Sequence, residues 1–189
     1  MTKRPGMYAP IDGSSKPARK IGRTAPADDW TPITPVPEDA GEPNTRHHRH
    51  GEPSQVWRYT DEDGRLLMLV CRYDTPGGKI FTPYTFCSRA DGTKSWQRKN
   101  LDAPRPLYNL RDLKQRPDVP VLVVEGEKAA DAAAKLFPDF VVVTSPGGSN
   151  AGHLADWSPL RGRHVTIWRD NDKPGRKYQD VVVAALVGV

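Results

Sequence analysis

The chain has 189 residues, 37% of them hydrophobic, with two cysteines and a formal net charge of +5. Cys71 and Cys87 form no CxxC pair, which excludes a four-cysteine zinc ribbon and gives no sign of an oxidising compartment. No apolar run approaches the roughly 18–20 residues needed to cross a bilayer, and the start, MTKRPGMYAP, lacks a signal-peptide core. These features predict a soluble, cytoplasmic protein with no membrane partner. The charge is uneven. Residues 55–120 carry twelve Lys/Arg against eight Asp/Glu, whereas residues 121–189 carry eight of each. A basic middle suits an acidic partner such as nucleic acid, and equally a solvated surface.

Residues 1–54 hold nine prolines and almost no large apolar side chains, so a disordered, Pro-rich arm is expected. Within it, Arg46-His47-His48-Arg49-His50 reads as a solvated linker tract, because no carboxylate or cysteine ligands stand at a metal-binding spacing.

From 55 to 100, apolar and aromatic segments alternate with Asp63-Gly64, Pro76-Gly77-Gly78 and Asp91-Gly92, the pattern of an antiparallel meander. Arg58, Arg65, Arg72, Lys79, Lys94, Arg98 and Lys99 are interleaved with Trp57, Tyr59, Tyr84 and Trp96. Rings beside cations suit a single-stranded nucleic-acid surface; the same rings could instead pack the sheet and leave the cations in water. A Pro-punctuated connector follows, with a short helix expected at 110–115. The basic β region and connector together span 55–118.

At Pro120 the pattern changes. Val121-Leu122-Val123-Val124 is a run expected of a strand buried on both faces of a parallel sheet, and it ends in Glu125-Gly126. Alanine-rich residues 128–137 read as a helix stopped by Pro138. A strand at 140–144 opens into the glycine-rich loop 146–152, a strand at 164–168 runs into Arg169-Asp170-Asn171-Asp172, and a third helix is expected from Arg176. This order is the grammar of a doubly wound α/β unit, here 119–189. Ligands of such sheets sit beyond the carboxyl ends of the strands. If the first and third strands are neighbours, Glu125, Asp170 and Asp172 line one crevice, where clustered carboxylates call for a hard divalent cation such as Mg²⁺. The same acids could instead cap helices. Loop 147–152 has the Gly-x-x-x-x-Gly spacing of an ATPase loop but lacks its Lys-Ser/Thr. Gly147, Gly148, Lys128 and Lys173 remain candidate phosphate contacts.

Val124-Glu125-Gly126-Glu127-Lys128-Ala129-Ala130-Asp131 and Asp170-Asn171-Asp172-Lys173-Pro174-Gly175 together resemble the Toprim domain of bacterial and phage primases, type IA and II topoisomerases and OLD-family nucleases. With Arg105-Pro106-Leu107-Tyr108 and Trp168 included, the run is most similar to primases and primase-helicases of phages and mobile elements. The resemblance implies a Toprim-like (Rossmann-like) parallel sheet with flanking helices. It also implies a DNA primase, a nucleotidyltransferase of DNA replication that synthesises primers on single-stranded DNA from nucleotides with Mg²⁺ (or Mn²⁺), alongside a replicative helicase. In the family pattern the glutamate is the general acid/base and the Asp-x-Asp pair holds the metal, which assigns these roles to Glu125, Asp170 and Asp172, with Glu125 also near the ion. Asp131 would support the site from behind. A Toprim nuclease, or a non-catalytic nucleic-acid-binding remnant, are the alternatives. The family fold usually continues past the third helix, so a truncated domain is expected, with the apolar face of residues 181–189 left without a cover.

Overall fold

The computed structural model describes residues 29–187. Its first half is an antiparallel sheet of β1 (Thr31–Pro32), β2 (Gln55–Thr60), β3 (Leu66–Thr75), β4 (Gly78–Ser88) and β5 (Lys94–Gln97). The order is β1-β4-β3-β2, and β5 also pairs with β4. The first hairpin is closed by Asp61, whose carboxylate accepts the backbone N–H groups of Asp63 and Arg65.

Strand alternation sorts β3 into two faces. Met68 and Val70 join Trp57, Tyr59 and Leu101 on one side, while Leu69, Cys71 and Tyr73 join Tyr84 on the other. The rings that the sequence left open are therefore core. Trp57, Tyr59 and Tyr84 are buried, and half-buried Trp96 meets Phe86 edge-on.

Residues 29–54 correct the expectation of a disordered arm. Thr31 and Pro32 pair with Ser88 and Cys87. The Val36 N–H donates to the Leu66 carbonyl at 2.7 Å, and the Trp96 indole donates to the Gly41 carbonyl at 3.0 Å. The hydroxyls of Tyr73 and Tyr84 both donate to the Thr45 carbonyl. Composition misleads here because the segment is fixed less by its own apolar side chains than by backbone groups that meet donors and acceptors already placed by the sheet. Residues 1–28 of the expected arm lie outside the described residues.

The second half contains α1 (Leu110–Gln115), β6 (Val121–Val124), α2 (Glu127–Leu136), β7 (Val141–Val143), β8 (Val165–Trp168) and α3 (Lys173–Val187). Its sheet is parallel, ordered β7-β6-β8. All four residues of β6 are buried, as their unbroken apolar run requires. Leu122 and Val124 pack with Ala130 and Ala133 of α2, whereas Val121 and Val123 pack with Leu110 and Leu113 of α1 and with Tyr178 and Val182 of α3. Ala185 and Leu186 of the apolar run that ends the chain also pack on that second cluster, while Val183 and Val187 are exposed. The third helix begins three residues earlier than expected, because Asp172 caps it and Pro174 falls in the first turn, where its missing N–H costs nothing. From β7 to β8 the chain runs through short 3₁₀ turns at Gly148–Asn150, Gly152–Leu154 and Ser158–Leu160.

Two carboxylates join the halves. The Tyr59 hydroxyl of β2 donates to Glu127 at 2.8 Å, and Asp131 accepts from the Trp57 indole at 2.7 Å and the Tyr108 hydroxyl at 3.0 Å. Among the described residues no helix is long and apolar enough to cross a membrane.

Candidate metal and phosphate site

The strand order fixes where the crevice lies. The chain leaves β6 for β7 on one side and then returns past β6 to β8 on the other, so the direction of winding switches between β6 and β8. Adjacent loops diverge at such a point and leave a cleft beyond the strand ends. Val124 stands in register with Trp168. Glu125 follows Val124, and Asp170 and Asp172 follow Trp168 by two and four positions. All three acids therefore belong to the same rim, at the switch point.

Their environments differ. Glu125 is half-buried, and its Oε2 is closed to solvent with no hydrogen-bond partner among the described residues. A buried, unpartnered carboxylate oxygen is costly unless something else meets it. Asp170 and Asp172 are exposed. The Asp172 Oδ1 accepts the Gly175 N–H at 2.7 Å, so this residue does cap a helix while standing at the rim. The acidic loop also folds tightly onto α3. A Cβ on Gly175 would lie 2.3 Å from the Asp170 carbonyl oxygen, a spacing only glycine permits. Arg169 braces the loop by donating to Gln179 at 2.8 Å and to the Asp170 carbonyl at 3.0 Å.

Among the described residues, no three His, Cys, Asp or Glu side chains converge into a ready cage for a metal ion. Mg²⁺ asks for less, since it commonly takes one or two carboxylates and completes its shell with waters and phosphate oxygens. The all-oxygen donor set at this rim, with one carboxylate oxygen already stripped of water, fits such an ion.

The glycine-rich loop follows β7 and approaches the Glu125 backbone. Gly147 and Gly148 both have left-handed φ, +87° and +57°, and a Cβ on Gly148 would come within 3.4 Å of the Glu125 carbonyl oxygen. Lys128 is exposed in the first turn of α2, near enough to Asp74 of β3 to lower that carboxyl's pKa slightly, behind the larger effects of Arg72 and Ser54. Lys173 is exposed as the first residue of α3. Both helices thus begin at the rim with a lysine in their first turn.

Asp131 receives the Trp57 and Tyr108 donors. Glu127, 5% exposed, is the stronger electrostatic anomaly. Burial raises its pKa, its own N–H and the Tyr59 hydroxyl oppose that rise, and the charge of Asp131 adds to it. Sequence reasoning passed over two residues here. One is Glu127, masked by its place in a charged helix start. The other is Tyr178, whose hydroxyl meets the Ser145 N–H at 3.3 Å and Ser145 Oγ at 3.0 Å beside Glu125. The four-residue step from Tyr178 to buried Val182 was the available signal that it faces inward.

No family model matches the chain, and no curated protein matches it by sequence. Among solved structures it is similar to the primase fragment of the bacteriophage T7 primase-helicase protein, with 16% identity and a TM-score of 0.44, over 70% of this chain and 48% of that one. It is also similar to a chain in a structure of bacteriophage T7 lagging-strand DNA polymerase interacting with primase domains of two gp4 subunits bound to an RNA/DNA hybrid and dTTP. The identity there is 15% and the TM-score 0.43, over 70% of this chain and 60% of that one. The chain thus spans about half to three-fifths of the length of these structures.

Proposed function

We propose that the crevice between β6 and β8 is a Toprim-like nucleotidyl-transfer site and that the chain acts as a primase-like replication protein on single-stranded DNA. One observation carries this: Glu125, with its buried unpartnered oxygen, shares the switch-point rim with Asp170 and Asp172. The Glu-Gly and Asp-x-Asp motifs that resemble the Toprim pattern follow the paired strands β6 and β8, which supports this reading.

Asp170, Asp172 and Glu125 would hold Mg²⁺ or Mn²⁺. Once bound, the ion would neutralise charge on the phosphate oxygens of the nucleotide and polarise them. Glu125 accepts the proton of the attacking 3′-hydroxyl as its oxygen bonds to the α-phosphorus of the nucleoside triphosphate and the bond to pyrophosphate breaks. Lys128 and Lys173 meet the phosphates from the first turns of α2 and α3. The glycines at 147 and 148 let backbone approach the same groups without a side chain intervening. A helicase partner and a mobile-element or phage origin belong to this reading as well.

The test uses the full 189-residue chain with Mg²⁺, nucleoside triphosphates and single-stranded DNA. Primers are the expected product, and Glu125→Gln should lower their rate by about 10²-fold or more. Metal-dependent nicks without primers would assign the crevice to a nuclease. Full primer synthesis by Glu125→Gln would remove the glutamate from the chemistry.

A further inference from the structure

The 46–50 turn carries three imidazoles and two guanidiniums in five residues, and it is ordered. An isolated bridge joins His47 to Gly51, closing the turn. Three contacts pin it to the sheet: Tyr73 and Tyr84 donate to the Thr45 carbonyl, and Arg98 donates to the Arg46 carbonyl at 3.3 Å. Its position follows from strand parity. Tyr73 and Tyr84 belong to the β3 face opposite the one whose Tyr59 reaches α2, so the turn lies across the antiparallel sheet from the α/β unit.

The rings are stacked. His47 lies 4.6 Å from His48 and 4.5 Å from His50, each inclined by 25°, and 5.3 Å from the Tyr73 ring, tilted by 54°. Face-to-face rings present flat surfaces and outward nitrogens, so they do not converge on a metal; no metal cluster forms here among the described residues. Arg49 and Arg98 stand near the His47 ring, with Arg98 also over the Tyr84 ring at 5.9 Å. The acid paired with this group is Glu52, on Arg46 at 3.4 Å with both side chains largely in solvent. Planar rings interleaved with cations recognise stacked bases joined by phosphates, whereas an acidic peptide has no use for the flat faces.

We propose that the 46–50 turn with Arg98 is a binding surface for single-stranded nucleic acid, separate from the crevice and strengthened by acid. The acid dependence has a structural source. The Nδ1 of His47 accepts the Arg49 N–H at 3.1 Å, which holds this ring in its neutral form. Its pKa is lowered by removal from water and then by His50, His48, Arg98 and Arg49, while burial raises the pKa of the Tyr73 hydroxyl packed beneath it. A phosphate placed among these cations reverses the field, so binding and protonation of His47 favour one another.

The experiment measures fluorescence anisotropy of a labelled single-stranded DNA of about 20 nucleotides, with EDTA present. It compares the wild-type chain, a His48→Gln/Arg49→Ala double variant and Glu125→Gln. The His48 and Arg49 side chains are exposed, and circular dichroism and melting confirm the fold. Wild type should bind about tenfold more tightly at about pH 6 than at about pH 8. The double variant should lose most of that change and show a salt slope smaller by about one ion. Glu125→Gln should bind like wild type while failing in primer synthesis, which separates this surface from the crevice chemistry. Unchanged affinity and pH dependence in the double variant would overturn the proposal, as would loss of binding in Glu125→Gln. Displacement of the DNA by poly-glutamate at equal charge concentration would overturn its assignment to nucleic acid.

Discussion

The Tyr59 hydroxyl and the Glu127 carboxylate, 68 residues apart in the chain, meet at 2.8 Å in a place closed to water. One comes from the antiparallel sheet and the other from the start of α2, so the bond ties the two halves together. Replacing Tyr59 by Phe removes the donor and leaves a buried acceptor without it. A loss of about 1–3 kcal/mol in urea unfolding is expected. An unchanged unfolding midpoint would show that water replaces the hydroxyl.

Glu127 also makes stability depend on pH. Its folded pKa is raised, chiefly by burial, above the ordinary glutamate value. The protonated form is therefore favoured in the folded state. The contribution to stability is full below the ordinary glutamate pKa and is lost as pH rises through the higher folded one. Glu127→Gln keeps an acceptor for Tyr59 and cannot ionise. The variant should lose this part of the pH dependence, seen as a flatter plot of unfolding free energy across that window. A plot superimposable on wild type would assign the slope to other groups.

Asp131 accepts two hydrogen bonds from donors of different origin, Trp57 on β2 and Tyr108 before α1. Asp131→Ala orphans both. The expected cost is about 2–4 kcal/mol by denaturant unfolding, since each bond ends on a carboxylate. Primer synthesis at a temperature where the variant remains folded should persist, because no substrate atom is placed against Asp131. Activity lost in a fully folded Asp131→Ala protein would move this residue into the crevice chemistry.

The parallel unit was legible because its signals are local. The run from Val121 to Val124 declares a strand buried on both faces, and alanine-rich residues declare α2. The adjacency of β6 and β8 was legible only as a condition, since strand order depends on long-range packing. What escaped was any role set by a distant partner. Glu127 and Asp131 sit on a helix start where acids are ordinary, and nothing nearby tells of Tyr59 or Trp57. The Pro-rich 29–54 segment failed for the same reason. Its order is supplied by Leu66, Tyr73, Tyr84 and Trp96, far along the chain.

Asp172 holds two posts, and substitutions can separate them. As a cap it accepts the Gly175 N–H; at the rim it is one of the proposed metal ligands. Asn keeps the capping oxygen but loses the negative charge. Asp172→Asn should therefore unfold within a few tenths of a kcal/mol of wild type, while Asp172→Ala should lose about 1 kcal/mol. Both should weaken Mn²⁺ binding, followed by electron paramagnetic resonance of the free ion. Wild-type Mn²⁺ affinity in Asp172→Asn would leave the residue a cap alone.

Gly175 sets how closely the acidic loop can approach α3. A Cβ there would stand 2.3 Å from the Asp170 carbonyl oxygen and 3.0 Å from both its carbonyl carbon and its nitrogen. All three are backbone atoms, so no side-chain rotation relieves the clash, and either the helix start or the 170–172 loop must move. Gly175→Ala should destabilise the chain by about 1–3 kcal/mol, the usual cost of overpacking. If the loop moves, Asp170 leaves the rim, and Mn²⁺ binding should fall beyond what Asp172→Ala loses, because two acids are displaced rather than one removed. Gly148→Ala is the comparison, since its Cβ would meet only the Glu125 carbonyl at 3.4 Å and leaves the acidic loop in place, although its φ of +57° adds backbone strain. Equal Mn²⁺ affinity in Gly175→Ala and wild type, with the fold intact, would show that the helix start gives way and the acidic loop keeps its place.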